Sequence, residues 1–259
     1  MGQGDCIFLK GPNGQTYLVD GGSSDVKQVG KYRIEPYLKS QGVGQLDYVF
    51  ISHGDADHCN GILEILERQK MGVKIENLVL PINYSGDEML VELAKLAKKQ
   101  GVKVFCMDAG QGVTEGDLTI FCLQPENQEL EGNAGSMVLS VIFKEFEMLL
   151  TGDVEGEGEE MLVKALEQND DNLPESYDVL KVAHHGSKNS TTEELLNQIN
   201  PKLALISVGE GNRYGHPHKE TLERLKEVKC KILETGECGE ITLEVGEEIK
   251  VNRWINADY

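Results

Sequence analysis

Short apolar runs alternate with segments of helical spacing along this chain of 259 residues, and that alternation predicts a mixed α/β fold. Two further observations agree. Polar capping patterns stand just ahead of several helical segments, and four of the apolar runs end in Asp or His. A hydrophobic content of 39% and a charged content of 27% describe an ordinary globular protein able to bury a sizeable core. No linker, internal repeat or low-complexity tract divides the sequence, so residues 1–259 are expected to form one domain. No apolar run approaches the ~18 residues a membrane span requires, and no signal-peptide pattern is present.

Taken in order, residues 4–10 and 16–20 read as paired strands around Gly11-Pro-Asn-Gly14, whose Asn-Gly is a hairpin signal. The second of them ends in Asp20-Gly-Gly. A helix is predicted over 34–40, then a buried strand, Leu46-Asp-Tyr-Val-Phe-Ile51, and a helix through Ile62-Leu-Glu-Ile-Leu. Residues 75–80 form the next strand. Ser85-Gly-Asp-Glu88 has the capping-box form, opening a helix that Gly101 stops. Strands follow at 102–107, 118–123, 136–143 and 147–151, the last running into Thr151-Gly-Asp153. A helix over 158–167 precedes the strand 177–183, which leads into His184-His-Gly-Ser187. Thr191 and Glu194 are placed to cap the next helix. The strand 203–208 leads to Asn212-Arg-Tyr-Gly-His-Pro-His218, then a helix to 228 and closing strands.

The centre of this plan is Ser52-His-Gly-Asp-Ala-Asp-His-Cys-Asn-Gly61, on the strand-to-helix loop. Four strong metal-ligand types, His53, Asp55, Asp57 and His58, fall within it. His53 and Asp55, two apart, can reach one ion while Asp57 and His58 turn toward a second. Asp57 also stands where a helix N-cap belongs, which favours a carboxylate for backbone reasons alone. All six histidines of the chain lie at the ends of apolar runs, and this argues for one convergent site. The six cysteines include no C-x-x-C pair and read as buried free thiols in a reducing compartment, Cys59 among them as packing rather than ligand.

His53-x-Asp55-x-Asp57-His58 resembles the His-x-His-x-Asp-His signature of the metallo-β-lactamase superfamily. With Gly2-Gln-Gly-Asp5, Leu18-Val-Asp-Gly-Gly22, Leu150-Thr-Gly-Asp153, Ala183-His-His-Gly-Ser187 and Tyr214-Gly-His-Pro217, the chain is similar to the C-terminal domain of ComEC-type competence proteins. The resemblance implies a four-layer αββα sandwich with its site at one edge of the sheets. It also implies a nuclease domain of a membrane-bound DNA-uptake protein, and the start of the chain, just ahead of Gly2, fits a fragment of one. A free-standing relative would instead be cytoplasmic. The ligand set it implies is His53, Asp55, Asp57, His58, Asp153 and one of His184 and His185, whose alternation along a strand would point them to opposite sides. Asp20 is expected to orient a ligand from behind it.

Two departures from the superfamily pattern remove nitrogen donors. Asp55 replaces the middle imidazole, and Gly132-Asn-Ala-Gly-Ser136 offers only Asn133 and Ser136 where a further histidine belongs. An oxygen-rich site suits Mn²⁺ better than a three-histidine zinc site does, so two divalent ions are expected, Mn²⁺ first, with Zn²⁺ or Mg²⁺ as alternatives. Asp57 is then a candidate to orient or deprotonate water, and His216 or His218 to protonate the leaving oxygen. His218 has a second reading as a helix cap. Ser187, Lys188 and Arg213, with Asn133 and Ser136, are candidates for holding phosphate oxygens, and Lys188 and Arg213 have an equal second reading as solvated side chains. The acidic stretch 155–160 reads as a solvated helix start.

Net charge opposes this picture at long range. Forty-four acids against 25 bases give −19, which repels nucleic acid and anionic membranes. DNA as substrate therefore requires a local positive source, and metal ions supply one. A small-molecule phosphodiesterase or lactonase-type hydrolase on the same fold suits the charge better and is the alternative.

Overall fold

The Asn13-Gly14 signal holds: β1 (Ile7–Lys10) and β2 (Thr16–Val19) form an antiparallel hairpin. The protein is described by a computed structural model covering residues 1–126, 129–167 and 173–255, so the last four positions of the expected domain lie outside it. After a π-type turn at Gly30–Ile34 come α1 (Glu35–Ser40), β3 (Gln45–Phe50), α2 (Ala56–Glu67), β4 (Lys74–Pro81), α3 (Glu88–Lys99) and β5 (Lys103–Met107). They build a sheet of order β1-β2-β3-β4-β5, parallel from β2 onward. The second half supplies β6 (Gly112–Glu115), β7 (Leu118–Gln124), β8 (Val138–Phe143), β9 (Phe146–Leu150), α4 (Glu157–Glu167) and β10 (Val179–Lys181). Then come α5 (Glu193–Ile199), β11 (Leu203–Ile206), α6 (Lys219–Glu227) and β12 (Lys231–Glu234). The second sheet has the order β12-β11-β10-β9-β8-β7-β6. A short α7 (Thr235–Cys238) leads to a separate hairpin, β13 (Ile241–Val245) with β14 (Ile249–Arg253).

Side-chain alternation turns these two sheets into four layers. On β2, Leu18 faces a core shared with Leu38 of α1, Ile62 and Leu66 of α2 and Leu93 of α3. Its neighbours Tyr17 and Val19 face the other way, onto Ile120, Leu139 and Met148 of the second sheet. On β9, Leu149 packs against Leu162 of α4 and Leu196 of α5, while Met148 and Leu150 lie between the sheets. Three apolar cores separated by two sheets make the αββα sandwich. Truncating any of these leucines to Ala would cost ~2–5 kcal/mol through lost transfer energy and a residual cavity.

Local details correct the sequence reading. The N-cap of α2 is Asp55, with Asp57 inside the first turn. Asp87, not Ser85, caps α3, its carboxylate accepting the Leu90 N–H. Thr192 rather than Thr191 caps α5, accepting the Leu195 N–H. The polar strand β6 was not expected, being four residues long with a single large apolar side chain, Val113. All six cysteines are free thiols, four of them buried. Cys59 packs in the first core and donates to the Gly54 and Asp55 carbonyls, away from any ligand position. Among the described residues, no helix is long and apolar enough to cross a membrane.

The first core also explains two glycine motifs. Gly4 and Gly22 lie so close to the backbone of residues 56–58 that neither has room for a Cβ. The Asp5 N–H donates to the Asp57 carbonyl at 3.0 Å, and the Gly21 N–H to the His58 carbonyl at 2.7 Å. The chain start and the Asp20-Gly-Gly turn thus clamp the loop that carries the central cluster.

Candidate metal centre

Four imidazoles converge on one buried carboxylate at the ends of β3, β9 and β10. Asp153 Oδ1 lies 3.2 Å from His58 Nε2, and its Oδ2 lies 3.7 Å from His185 Nε2 and 3.9 Å from both His53 Nε2 and His184 Nε2. Asp57 joins from the mouth, its Oδ2 3.5 Å from His185 Nε2. Asp55 is the most exposed member, 3.7 Å from His53 Nε2 at the rim.

Hydrogen bonding gives all four rings the same tautomer. His58 Nδ1 lies 2.9 Å from Asp20 Oδ2, and a carboxylate can only accept, so Nδ1 carries the proton. His185 Nδ1 donates to the Ser207 carbonyl at 2.8 Å, and His184 Nδ1 to Glu155 at 2.9 Å. For His53 the acceptor is Ser52 Oγ at 3.0 Å, because that hydroxyl spends its own proton on Asp20 Oδ2 at 2.7 Å. Each Nε2 is left with a lone pair facing Asp153. Nε2 of His53, His58 and His185, together with Asp153 Oδ1, are buried without a hydrogen-bond partner. Leaving such atoms unsatisfied in a dry site is costly, and a cation is the partner their geometry accepts. The residues therefore fit a divalent metal, in groups such as His53 with His58 and Asp153, and Asp57 with His58 and His185.

Charge in the site follows the same logic. Burial works against ionised Asp153, but His58 and His185 outweigh it and hold the carboxyl well below its usual range. Burial likewise opposes charge on His58, and Asp153 and Asp20 overcome it and raise the imidazole. Protons on these rings occupy the place a cation takes, and metal binding must expel them.

The His184-His185 pair corrects the expectation of strand alternation. β10 ends at Lys181, and both histidines adopt left-handed backbone, φ 47° and 54°, in a tight turn. That conformation aims both Nε2 atoms at Asp153 instead of splitting them. Glu155 is part of the arrangement, bracing His184, while buried Glu159 accepts the Thr191 and Thr192 N–H groups. The stretch 155–160 is accordingly not merely a solvated helix start.

Asp5 and Lys181 lie beneath His185; from sequence Asp5 entered only as part of a motif, and neither residue was given a role at the site. Lys181 is buried, its Nζ 2.9 Å from Asp5 Oδ2 and donating to the Val182 carbonyl at 2.9 Å. Asp5 Oδ1 sits 3.6 Å from His185 Nδ1. A lysine in the apolar run Val179-Leu-Lys-Val-Ala183 was the available signal. Ser52 was equally visible, as the residue before His53.

The candidate phosphate holders separate into two kinds. Ser136 and Ser187 are buried in the turns they belong to, and Ser136 Oγ has no hydrogen-bond partner there. Asn133 donates to Glu155 at 3.3 Å and braces the His184 support. Lys188 and Arg213 are exposed at the mouth. His218 occupies the N-cap position of α6 without a side-chain cap bond; its Nδ1 accepts the Lys188 N–H at 3.1 Å, leaving the proton on Nε2. His216 is half-buried, and burial, helped by His218, His184 and His185, lowers it to about 4. A neutral His216 is thus an N–H donor rather than a standing acid. An open cleft of about 440 Å³ adjoins His53, lined by Gly54, Asn83, Asp87, Glu131 and Gly132.

The metallo-beta-lactamase superfamily profile matches residues 1–210. ComE operon protein 3 of Bacillus subtilis (strain 168) is 32% identical over 255 residues, covering 93% of this chain and 32% of that protein. Competence protein ComA of Neisseria gonorrhoeae is 29% identical over 245 residues, covering 95% of this chain and 31% of that protein. The chain spans about a third of the length of these relatives. The metallo-beta-lactamase fold protein YhfI from Bacillus subtilis superposes on 90% of this chain and 88% of its own with a TM-score of 0.57 at 15% identity, a likeness of fold alone.

Proposed function

The chain belongs to the metallo-beta-lactamase superfamily, and on that premise we propose that it is a divalent-metal-dependent DNA nuclease of the competence type. The observation that carries the metal dependence is the set of inward Nε2 lone pairs around Asp153. The DNA assignment is supported by relatives over nearly the whole chain, one of them named for competence. Within a protein of their length, this domain would act tethered to the cell membrane.

His53, His58 and Asp153 would hold one ion, and Asp57, His185 and Asp153 a second, with Asp55 and His184 at the edges. Bound there, divalent ions supply water activation and charge neutralisation for an in-line phosphoryl displacement. Mixed nitrogen and oxygen donors favour Mn²⁺, with Zn²⁺ or Mg²⁺ as substitutes. Asp57, at the mouth, orients the attacking water and accepts its proton. The Nε2–H of His218 and the neutral ring of His216 would hydrogen-bond the leaving oxygen, which takes its proton from solvent as the P–O bond breaks. Lys188 and Arg213 would supply positive charge at the mouth of a site on a chain of net charge −19.

The test is cleavage of plasmid DNA and of a small chromogenic phosphodiester by metal-stripped protein, resupplied separately with Mn²⁺, Mg²⁺ and Zn²⁺. DNA cleavage restored best by Mn²⁺ is expected. Turnover of the small diester with DNA untouched would transfer the assignment to a small-molecule phosphodiesterase or lactonase-type enzyme, the reading that the net charge favours.

A further inference from the structure

Two surfaces adjoin the donor cluster, and they differ in charge. The turns that follow β10 and β11 carry the exposed cations Lys188 and Arg213. The cleft beside His53 has no lysine or arginine among its lining residues. His53 is 3% exposed and its Nε2 has no hydrogen-bond partner, so the cleft borders the donor set itself. Pro81 and Leu90, both buried, give it an apolar floor. What its polar walls offer a ligand is oxygen. Asn83 Nδ2 donates to the Leu130 and Gly135 carbonyls at 2.6 and 3.1 Å, so only its Oδ1 remains for a ligand. The Asp87 carboxylate is fixed as the cap of α3, and any side chain at Gly54 would overlap it. Glu131 lies beside Gly86, the neighbour of Asp87, with its Oε1 3.6 Å from where a Cβ would stand.

A pair of acids says little alone, since a hydrated cation would suit it. These two stand in a cleft with an apolar floor, at the edge of a centre read as cleaving phosphodiesters. Their charge repels phosphate, so the part of a nucleotide that fits is its uncharged part, the base. Walls that only accept hydrogen bonds discriminate among bases by the N–H groups each one presents. Guanine has a ring N–H and an amino group side by side, and a carboxylate accepts from both at once. Adenine and cytosine set an amino group beside a ring acceptor that a carboxylate repels, and thymine sets one N–H between two carbonyls. We propose that the cleft is a base subsite selective for guanine, with Glu131 receiving the ring N–H and amino group and Asp87 holding the wall next to Gly54, so that cleavage favours phosphates flanked by guanine. The inference rests on the nuclease reading above and adds base identity to it.

The Mn²⁺-loaded chain is given a random-sequence oligonucleotide pool, and the fragment ends are sequenced. Guanine should be enriched at one fixed distance from the cut. Glu131→Gln falls at an exposed position, and Asp87→Asn keeps a residue that caps helices equally well, so both should show native circular dichroism. Glu131→Gln should erase the enrichment while cutting continues, and Asp87→Asn should reduce it. Binding is read separately with hydrolysis-resistant phosphorothioate trinucleotides carrying guanine or hypoxanthine, which keeps the ring N–H and lacks the amino group. The native chain should bind hypoxanthine at least ~10-fold more weakly, the low end for a hydrogen bond to a charged group, and Glu131→Gln should bind the two alike. Cuts without base bias, guanine and hypoxanthine bound alike by the native chain, or enrichment that survives Glu131→Gln overturns the subsite while the nuclease reading stands. One metal ion fewer in Glu131→Gln, with base preference unchanged, would make the cleft a cation site instead. No DNA cut or bound by the native chain with metal present removes the nuclease reading and this inference together.

Discussion

His58 and His185 face the same carboxylate from opposite sheets, and the two are braced by opposite electrostatic means. Behind His58, Asp20 accepts the ring N–H at 2.9 Å and also takes the Ser52 N–H and hydroxyl, with no lysine or arginine paired to it among the described residues. Behind His185 the ring N–H goes to a neutral carbonyl, and the nearby Asp5 is neutralised by buried Lys181. The first arrangement adds negative charge to the donor set and strengthens its hold on cations. The second supplies rigidity without charge. The difference teaches that a fixed ring and a strengthened ligand are separable functions, and mutation can separate them.

The largest effect belongs to the carboxylate both sides share. Asp153→Ala should abolish metal-dependent turnover with the fold retained, because it removes the atom pair around which four imidazoles are arranged. Turnover is measured in parallel with circular dichroism. His53→Ala and Asp57→Ala should behave alike, and native-like activity in two of the three variants would dismantle the two-ion assignment.

Next is the His185 side. Lys181→Met leaves Asp5 as an uncompensated buried charge, so stability should fall by ~3–5 kcal/mol in urea unfolding. Adding Asp5→Asn removes the orphaned charge and should recover most of that loss. If this brace is structural, the double variant should also keep its metal affinity within a few-fold. A double variant that folds well but binds no metal would mean that Asp5 itself belongs to the ligand set.

These pairings mark where sequence reasoning ended. The cluster His53 to His58 was legible because its spacing is local and follows a clear strand, and the four layers were implied by a resemblance covering nearly the whole chain. The Asp5–Lys181 pair joins the first residues of the chain to a strand of the other sheet, and no local pattern encodes such a partner. The left-handed turn at His184 and His185 was misread as strand because the apolar run extends two residues past the end of β10. Helix caps slipped by one or two residues for a related reason: Ser, Asp and Thr are all competent caps, and packing decides which one the backbone uses.

The His58 side should answer in affinity rather than stability. Asp20→Asn keeps the shape but sets an amide against groups that all donate, and it removes the charge behind His58. Metal affinity should fall ~10–100-fold by calorimetric titration, with a smaller loss in unfolding free energy than Lys181→Met shows. The reverse ranking, stability lost and affinity kept, would erase the contrast between the two braces.

The smallest effect isolates a single hydroxyl. Ser52 Oγ carries the influence of Asp20 to His53, donating to the carboxylate and accepting the His53 N–H at 3.0 Å. Ser52→Ala leaves the His58 contact with Asp20 in place and deprives only His53 of its acceptor, so the loss of affinity should sit near ~10-fold, the lower end of what such supporting bonds contribute. Nitrogen NMR of the Zn²⁺-loaded chain gives a readout that general loosening does not reproduce. The His58 ring signals should be unchanged, while those of His53 shift as its N–H turns to water or the ring rotates. Ser52→Thr restores the hydroxyl and should restore both affinity and the His53 signals. If threonine fails to rescue while alanine leaves His53 unmoved, the hydroxyl is packing, and His53 owes its orientation to the strand end alone.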